Sequence, residues 1–295
     1  MTELWGLGDL ALAMPFLRTA TQHAKVTLLA KPQAAALLQH FAPEVELVPL
    51  VAPWTAFRGK YRLHRWPWRT LRQTIRTLRH HPYTHAISAR PDPREHAFLK
   101  LTGAEKLVGF PHAGSQFLVN EKILPPLDPH RAACWQYLAG YFGWTMAPAQ
   151  NHARPGRQIV IHTGAAQAVR RWPLERYTKI ADQLRQKGWT VTIIDEDHGD
   201  LDALIKTLSS ADRFIGNDSG PGHIAALLGV PTFTIFGSQL SENFAPQHPQ
   251  STWVDGAPCP YKPCSDYCRF PVPHCLHNIT ATDVWSRLQA WLRTG

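Results

Sequence analysis

A group of polar residues and glycines lies between two apolar segments of the chain, at Asp218, Ser219, Gly220 and His223. The apolar segment before it predicts a buried strand, and the small residues after it predict a tightly packed helix. The N-terminus of a helix binds phosphate well, because it offers unpaired N–H groups and a partial positive charge. These four residues are therefore predicted to bind a phosphate group. For Asp218 alone, a helix cap is an equally good interpretation.

A second segment of this kind runs from Thr163 to Pro173 and carries Arg170 and Arg171 just before a predicted helix. The guanidinium group presents a fork of donors that suits phosphate oxygens. Two phosphate-binding segments in one domain indicate a diphosphate ligand, such as that of a nucleotide sugar. Thr163 and Arg170 are accordingly predicted to contact the same donor as the first segment.

A third segment lies near the start of the chain, where Asp9 follows Gly6 and Gly8 and precedes a predicted helix over 10–20. A carboxylate in this position can cap the helix, or it can accept a proton from a bound substrate. The local sequence leaves both roles open.

The basic residues are unevenly distributed in a chain whose formal net charge is +9. Between Val48 and Pro91 there is no Asp or Glu, and the stretch holds nine cations: Arg58, Lys60, Arg62, Arg65, Arg69, Arg72, Arg76, Arg79 and Arg90. Five of them, from Arg65 to Arg79, recur every three or four residues and are predicted to share one side of a helix. The stretch indicates an anionic partner, although a solvated helix face explains the same pattern.

Four of the five cysteines fall within 17 residues, at Cys259, Cys264, Cys268 and Cys275. Four thiols can bind a structural zinc or iron ion. Reduced thiols and a disulfide are the alternatives. The fifth cysteine, Cys134, is expected to lie in a helix core.

Strand-like and helix-like segments alternate along the chain, which is typical of an α/β fold with parallel sheets. A polar segment rich in breakers, 147–156, predicts a linker. We therefore expect two doubly wound domains, over 1–148 and 157–275, and a C-terminal helix within 276–295. No apolar run reaches the ~20 residues of a membrane span and no signal-peptide pattern begins the chain, so a cytoplasmic protein is expected.

The three segments together resemble glycosyltransferase family 9, the ADP-heptose:lipopolysaccharide heptosyltransferases. The matching residues are Gly8-Asp9 with its helix, the segment 170–173, and the segment 217–223 with the helix and strand up to Gly237. The Asp-Ser-Gly-x-x-His pattern followed by AALLGVPTFTIFG is the specific part. Gly-x-Gly-Asp alone would be weak.

The resemblance implies a GT-B enzyme, in which two Rossmann-like domains face each other across a cleft. The first domain would bind the acceptor and the second the nucleotide sugar, in an inverting reaction that requires no metal. Asp9 would be the general base that deprotonates the acceptor hydroxyl. The donor would be bound by Thr163, Arg170, Asp218, Ser219, Gly220 and His223, with Arg170 in place of a family lysine. The segment 195–199 is shorter than the family pattern, which leaves the nucleotide and the sugar open.

The leading interpretation is transfer of a heptose, or a related sugar, to a lipopolysaccharide core or another anionic saccharide or glycolipid. Arg58, Arg62 and Arg65 would then meet the phosphates of this acceptor at the inner surface of the membrane, and no nucleic acid is expected. The alternative is a non-catalytic Rossmann-like scaffold that uses the stretch 58–79 to bind nucleic acid or a membrane surface. A dehydrogenase is disfavoured, because no Gly-x-Gly-x-x-Gly follows a predicted strand.

Overall fold

The computed structural model describes residues 1–56, 59–147, 156–195, 197, 199–264 and 267–293. The chain divides into two units, Met1–Ala147 and Pro148–Gly295, which are described separately below. Most of the predicted linker, 148–155, lies outside the described residues.

The first unit is built on one parallel sheet of six strands. They are β1 (Thr2–Glu3), β2 (Thr27–Ala30), β3 (Glu46–Pro49), β4 (His85–Ser88), β5 (Lys106–Gly109) and β6 (Glu121–Lys122). Their order across the sheet is β3-β2-β1-β4-β5-β6, and each neighbouring pair is parallel. This is the strand order of dinucleotide-binding Rossmann domains.

Five helices connect or follow these strands: α1 (Leu7–Thr21), α2 (Ala34–Phe41), α3 (Trp68–Arg79), α4 (Pro93–Lys100) and α5 (Arg131–Tyr141). Helix α3 is amphipathic and buries Leu71, Thr74 and Leu78. It begins at Trp68, after Pro67. The prediction that Arg65 shares this helix is therefore wrong, because Arg65 ends a separate 3₁₀ turn, Leu63–Arg65.

The second unit has a parallel sheet of five strands. They are β7 (Gln158–His162), β8 (Thr190–Ile194), β9 (Arg213–Asn217), β10 (Thr232–Phe236) and β11 (Thr252–Asp255), in the order β11-β10-β9-β7-β8. Counted within the unit, this is the flavodoxin-like order 2-1-3-4-5. Both units are thus α/β and doubly wound, which confirms the predicted Rossmann-like fold of each.

The helices of the second unit are α6 (Leu174–Gln186), α7 (Leu201–Ser209), α8 (Gly220–Leu227), α9 (Ser241–Phe244), α10 (His274–His277) and α11 (Ala281–Trp291). Helix α11 begins with a capping box between Thr280 and Asp283. It buries Leu288 and Trp291 in the same apolar core as Ile215 of β9, so the last helix is an integral part of this unit. In the part of the chain that is described, no helix is long and apolar enough to cross a membrane.

Candidate functional site

Each sheet has one point where the chain leaves two neighbouring strands in opposite directions. In the first unit this point lies between β1 and β4, and in the second between β7 and β9. Ligands of open α/β sheets bind outside the carboxyl ends of the strands at such points. Asp9 follows β1, Thr163 follows β7 and Asp218 follows β9. Asp9, Thr163 and Asp218 therefore lie where the topology favours ligand binding.

Asp9 is the third residue of α1, which begins at Leu7 and not at the predicted residue 10. Its Oδ2 accepts a hydrogen bond from the backbone N–H of Gly6 at 3.2 Å, so the carboxylate does cap the helix. Its Oδ1 is held by a guanidinium N–H of Arg90. The cap thus uses one carboxylate oxygen and the ion pair uses the other.

Two arginines that sequence reasoning had not connected with Asp9 lie beside it. Arg90 follows β4, pairs with Asp9 and lies over the ring of Trp5 at 4.9 Å. Arg131, the first residue of α5, places its Nε 3.7 Å from the same carboxylate and donates to the carbonyl of Ala89 at 2.7 Å. Arg90 is therefore mostly buried beside Asp9, although the charge pattern had grouped it with the other basic residues between Val48 and Pro91. Its position directly after a predicted strand was the signal that could have identified it.

A buried carboxyl group lies beneath this arrangement. The side chain of Glu3 is fully buried, with its oxygens 3.9 Å from Arg90 and 3.7 Å from Arg131. Burial raises the pKa of Glu3 to about 7, against the opposing effect of the two guanidinium groups. A second buried carboxyl, Glu95, accepts hydrogen bonds from the hydroxyls of Thr2 and Ser88, and burial raises its pKa also.

In the second unit, the two predicted phosphate-binding segments are joined by Asn217, a residue that the sequence analysis had not assigned to the site. Its Oδ1 accepts from the backbone N–H of Trp172 and from the hydroxyl of Tyr177, both at 2.9 Å. Its Nδ2 donates to the carbonyls of Thr163 at 2.8 Å and Gly164 at 3.2 Å. Asn217 has no solvent exposure, so these four bonds satisfy it in the core. One buried amide thus positions both segments.

The charged and polar residues of the two segments are also brought together. Arg170 Nη1 lies 3.5 Å from Asp218 Oδ2. Ser219 is the N-cap residue of α8, but its hydroxyl donates to the carbonyl of Asn217 at 3.2 Å and makes no capping bond. His223 is the fourth residue of α8 and is buried. Arg170 and the start of α8 can together stabilise negative charge at this point of the sheet.

Gly222 is a buried residue in the first turn of α8. A Cβ atom at this position would lie 3.4 Å from the ring of Phe214 and 3.6 Å from Pro246. Both distances are ordinary van der Waals contacts, so packing within the unit leaves room for a Cβ atom at this position.

The basic stretch of the first unit forms an exposed surface around α3. We call it the basic surface: Arg62, Arg65, Arg69, Arg72 and Arg76, all exposed. Within the described residues, none of these five makes an ion pair. Exposed apolar side chains of Tyr61, Leu63 and Trp68 lie in the same segment. Arg58, which was predicted to contact the acceptor, lies outside the described residues.

Three tryptophans, Trp54, Trp66 and Trp68, lie in or beside the basic stretch, and the first two pack in the core of the first unit. Trp54 is buried and its ring lies 5.6 Å from that of Trp66, which in turn lies 5.3 Å from Trp68. Trp54 and Trp66 also pack with Leu71. These rings attach the basic segment to the sheet, and Trp54 is not available for stacking on a nucleic-acid base.

The four clustered cysteines are free thiols. Burial, together with the neighbouring thiols of Cys268 and Cys259, raises the pKa of Cys264. Among the residues described, which exclude Ser265 and Asp266, no three His, Cys, Asp or Glu side chains are arranged to hold a metal ion. Binding of a structural zinc or iron ion by these four cysteines stays a prediction.

Known proteins match part of this chain in sequence and the whole of it in fold. The model of glycosyltransferase family 9 (heptosyltransferase) matches residues 198–270. Lipopolysaccharide heptosyltransferase 3 of Escherichia coli K12 is 30% identical over 108 residues, which cover 27% of this chain and 30% of the relative. The sequence match thus spans less than a third of that relative.

Solved structures match over the whole chain. The family 9 glycosyltransferase from Veillonella parvula has a TM-score of 0.76 at 17% identity, covering 100% of this chain and 96% of its own. The heptosyltransferase WaaC of E. coli, solved with ADP, has a TM-score of 0.74 at 16% identity, covering 98% of each chain. At this identity the likeness establishes the fold. The resemblance to glycosyltransferase family 9 is therefore confirmed. It holds in sequence over residues 198–270, which contain the segment from Asp218 to His223, and in fold over the whole chain.

Proposed function

We propose that this protein is an inverting glycosyltransferase that moves a heptose, or a related sugar, from a nucleotide-sugar donor to an anionic saccharide acceptor. The observation that carries the proposal is the junction at Asn217, which joins two phosphate-binding segments at the switch point of the second unit. The family model matches residues 198–270, which include Asn217 and the start of α8. ADP-heptose is the proposed donor, because the solved relatives include a heptosyltransferase determined with ADP.

In the proposed reaction, Asp9 accepts the proton of an acceptor hydroxyl. The oxygen then attacks the anomeric carbon, and the nucleoside diphosphate leaves with the electron pair of the broken C–O bond. A positioned base contributes typically 10²–10⁴-fold to such a step. Arg170 and the N-terminus of α8 stabilise the charge that develops on the leaving diphosphate. The proposed chemistry needs no metal cofactor.

The basic surface supports an anionic acceptor. Five exposed arginines without an ion pair in the described part of the chain attract phosphate groups, such as those of a lipopolysaccharide core. The exposed Tyr61, Leu63 and Trp68 favour a peripheral position at the inner membrane, where aromatic residues lie at the level of the lipid headgroups. The same arginines keep the alternative of a non-catalytic surface-binding protein open to test.

The proposal is tested by incubating the purified protein with ADP-heptose and a phosphorylated core saccharide and measuring ADP release and the mass of the product. UDP- and GDP-sugars serve as donor controls. Release of ADP with formation of the heptosylated product is expected, at a rate about 100-fold or more lower in Asp9→Asn. Binding of the acceptor without turnover of any nucleotide sugar would favour the surface-binding alternative.

A further inference from the structure

The first unit contains a buried carboxyl group that the proposed reaction does not use. Glu3 lies in β1, and its carboxyl group faces the same two arginines as Asp9. Arg90 and Arg131 are mostly buried, with side chains 18% and 8% exposed, while Glu3 is fully buried. Two carboxyl groups therefore share two guanidinium groups at the switch point.

We infer that Glu3 is a positioning residue that sets the basicity of Asp9 through Arg90 and Arg131. The inference rests on the proposed role of Asp9. Glu3 touches neither substrate in this scheme and acts through the arginines alone.

The physical reason is competition for the same positive charge. When Glu3 is neutral, both guanidinium groups stabilise the Asp9 carboxylate, and a carboxylate so stabilised accepts a proton weakly. When Glu3 is ionised, it draws on the same two cations and adds negative potential at Asp9. The array of two carboxylates and two arginines is then neutral overall. Asp9 becomes a stronger base, and after Asp9 has taken the proton Glu3 still balances one of the two arginines.

The other charged groups near Glu3 do not replace it. Lys31 lies close enough to interact with both Glu3 and Asp9, and burial lowers its pKa. Glu95 disfavours ionisation of Glu3, yet it bonds to Thr2 and Ser88 and makes no ion pair with either arginine. Burial raises the pKa of Glu3 to about 7, so its ionisation falls within the range in which enzymes are assayed.

The test compares wild type with Glu3→Gln over pH 6 to 8.5, under saturating donor and acceptor. Wild-type kcat should rise with pH through a step near neutrality. The Gln variant keeps the size of the side chain but cannot ionise, so its kcat should stay flat across this range. At pH 8 we expect it on the order of 3- to 10-fold below wild type, with little difference at pH 6. The matched control is Glu95→Gln, a buried carboxyl of the same unit, which should keep the step but move it to lower pH, because Glu95 no longer disfavours ionisation of Glu3.

Two further measurements separate an altered fold from an altered base. ADP affinity reports on the second unit and should be unchanged in Glu3→Gln. Side-chain ¹³C carboxyl shifts, with Asp9 assigned by its loss in Asp9→Asn, should show Asp9 titrating at lower pH in Glu3→Gln than in wild type. A Gln variant that keeps the step, or an Asp9 titration that does not move, would overturn the inference. If wild type turns over no nucleotide sugar, the proposed function is wrong. The ¹³C shift measurement then shows by itself whether the carboxyl groups of Glu3 and Asp9 are coupled.

Discussion

The switch points of the two units are built from opposite kinds of interaction. In the first unit, Asp9 is held by ion pairs with Arg90 and Arg131. In the second unit, the chain segments at the switch point are held together by Asn217, a neutral amide with four hydrogen bonds. The first arrangement consists of charged groups, whereas the second uses a neutral amide to hold the backbone and has one ion pair, Arg170 with Asp218, beside it.

The difference corresponds to the proposed roles. A general base needs a tunable proton affinity, which neighbouring charges provide. A diphosphate site needs a fixed geometry and donors, and a fully satisfied buried amide provides rigidity without adding a competing charge. Changes at the first point should therefore affect turnover and its pH dependence, and changes at the second should affect donor affinity and stability.

The largest effect is expected for Asp9→Asn. Asn has nearly the same size and can still cap α1, but it cannot accept the acceptor proton, so kcat should fall about 100-fold or more with ADP affinity unchanged. The melting temperature should also fall, because Arg90 loses its ionic partner. Asp92→Asn is the control, since Asp92 pairs with Arg94 and caps α4 in the same unit. Turnover of Asp9→Asn within a few-fold of wild type would remove Asp9 as the base.

The next effect is expected for Asn217→Ala, which leaves the N–H of Trp172 and the hydroxyl of Tyr177 without their buried acceptor. Unfolding free energy should fall by about 2–4 kcal/mol and ADP affinity by roughly tenfold. Tyr177→Phe removes one of the four bonds and should cost about 1 kcal/mol with little change in ADP affinity. Urea unfolding and isothermal titration measure both. An Ala variant that binds ADP like wild type would show that Asn217 does not position the donor site.

A smaller loss is expected for Arg170→Ala, which removes a cation beside Asp218. Donor and ADP affinity should weaken by about fivefold to tenfold, while Arg170→Lys should retain part of it because the charge remains. His223→Ala should act in the same direction. Isothermal titration with ADP decides the matter, and unchanged affinity in both Ala variants would contradict the donor-site assignment.

The smallest effect is expected for the double charge reversal Arg62→Glu and Arg65→Glu. Acceptor KM should rise by a few-fold at low salt and the difference should shrink at high salt, with ADP affinity unchanged. The matched control is Lys179→Glu with Lys206→Glu, which makes the same charge change on exposed residues of the second unit. If both pairs raise KM equally, the effect is one of net charge and not of the basic surface.

The sequence by itself determined the alternation of strands and helices in this protein. The alternation of apolar strands and amphipathic helices was sufficient to predict two doubly wound α/β domains, because the periodicity of each element is local. The three predicted binding segments, which contain Asp9, Thr163 and Asp218, could also be predicted from the sequence. Glycines and polar residues at the end of an apolar strand form a local pattern. Helix starts were less accurate: α1 begins three residues before the predicted start, and Arg65 precedes α3.

Only the tertiary structure decided which residues surround these three segments. The strand order places β4 beside β1 and β9 beside β7, which brings Arg90 to Asp9 over a separation of 81 residues and Asn217 to Thr163 over 54. Sequence spacing contains no information about such pairings, because neighbouring strands of a parallel sheet can be distant along the chain. For the same reason Arg90 looked like one more cation of a basic stretch, and Glu3 was not singled out by the sequence analysis at all. Their chemistry depends on burial and on shared neighbours, and both are properties of the folded chain alone.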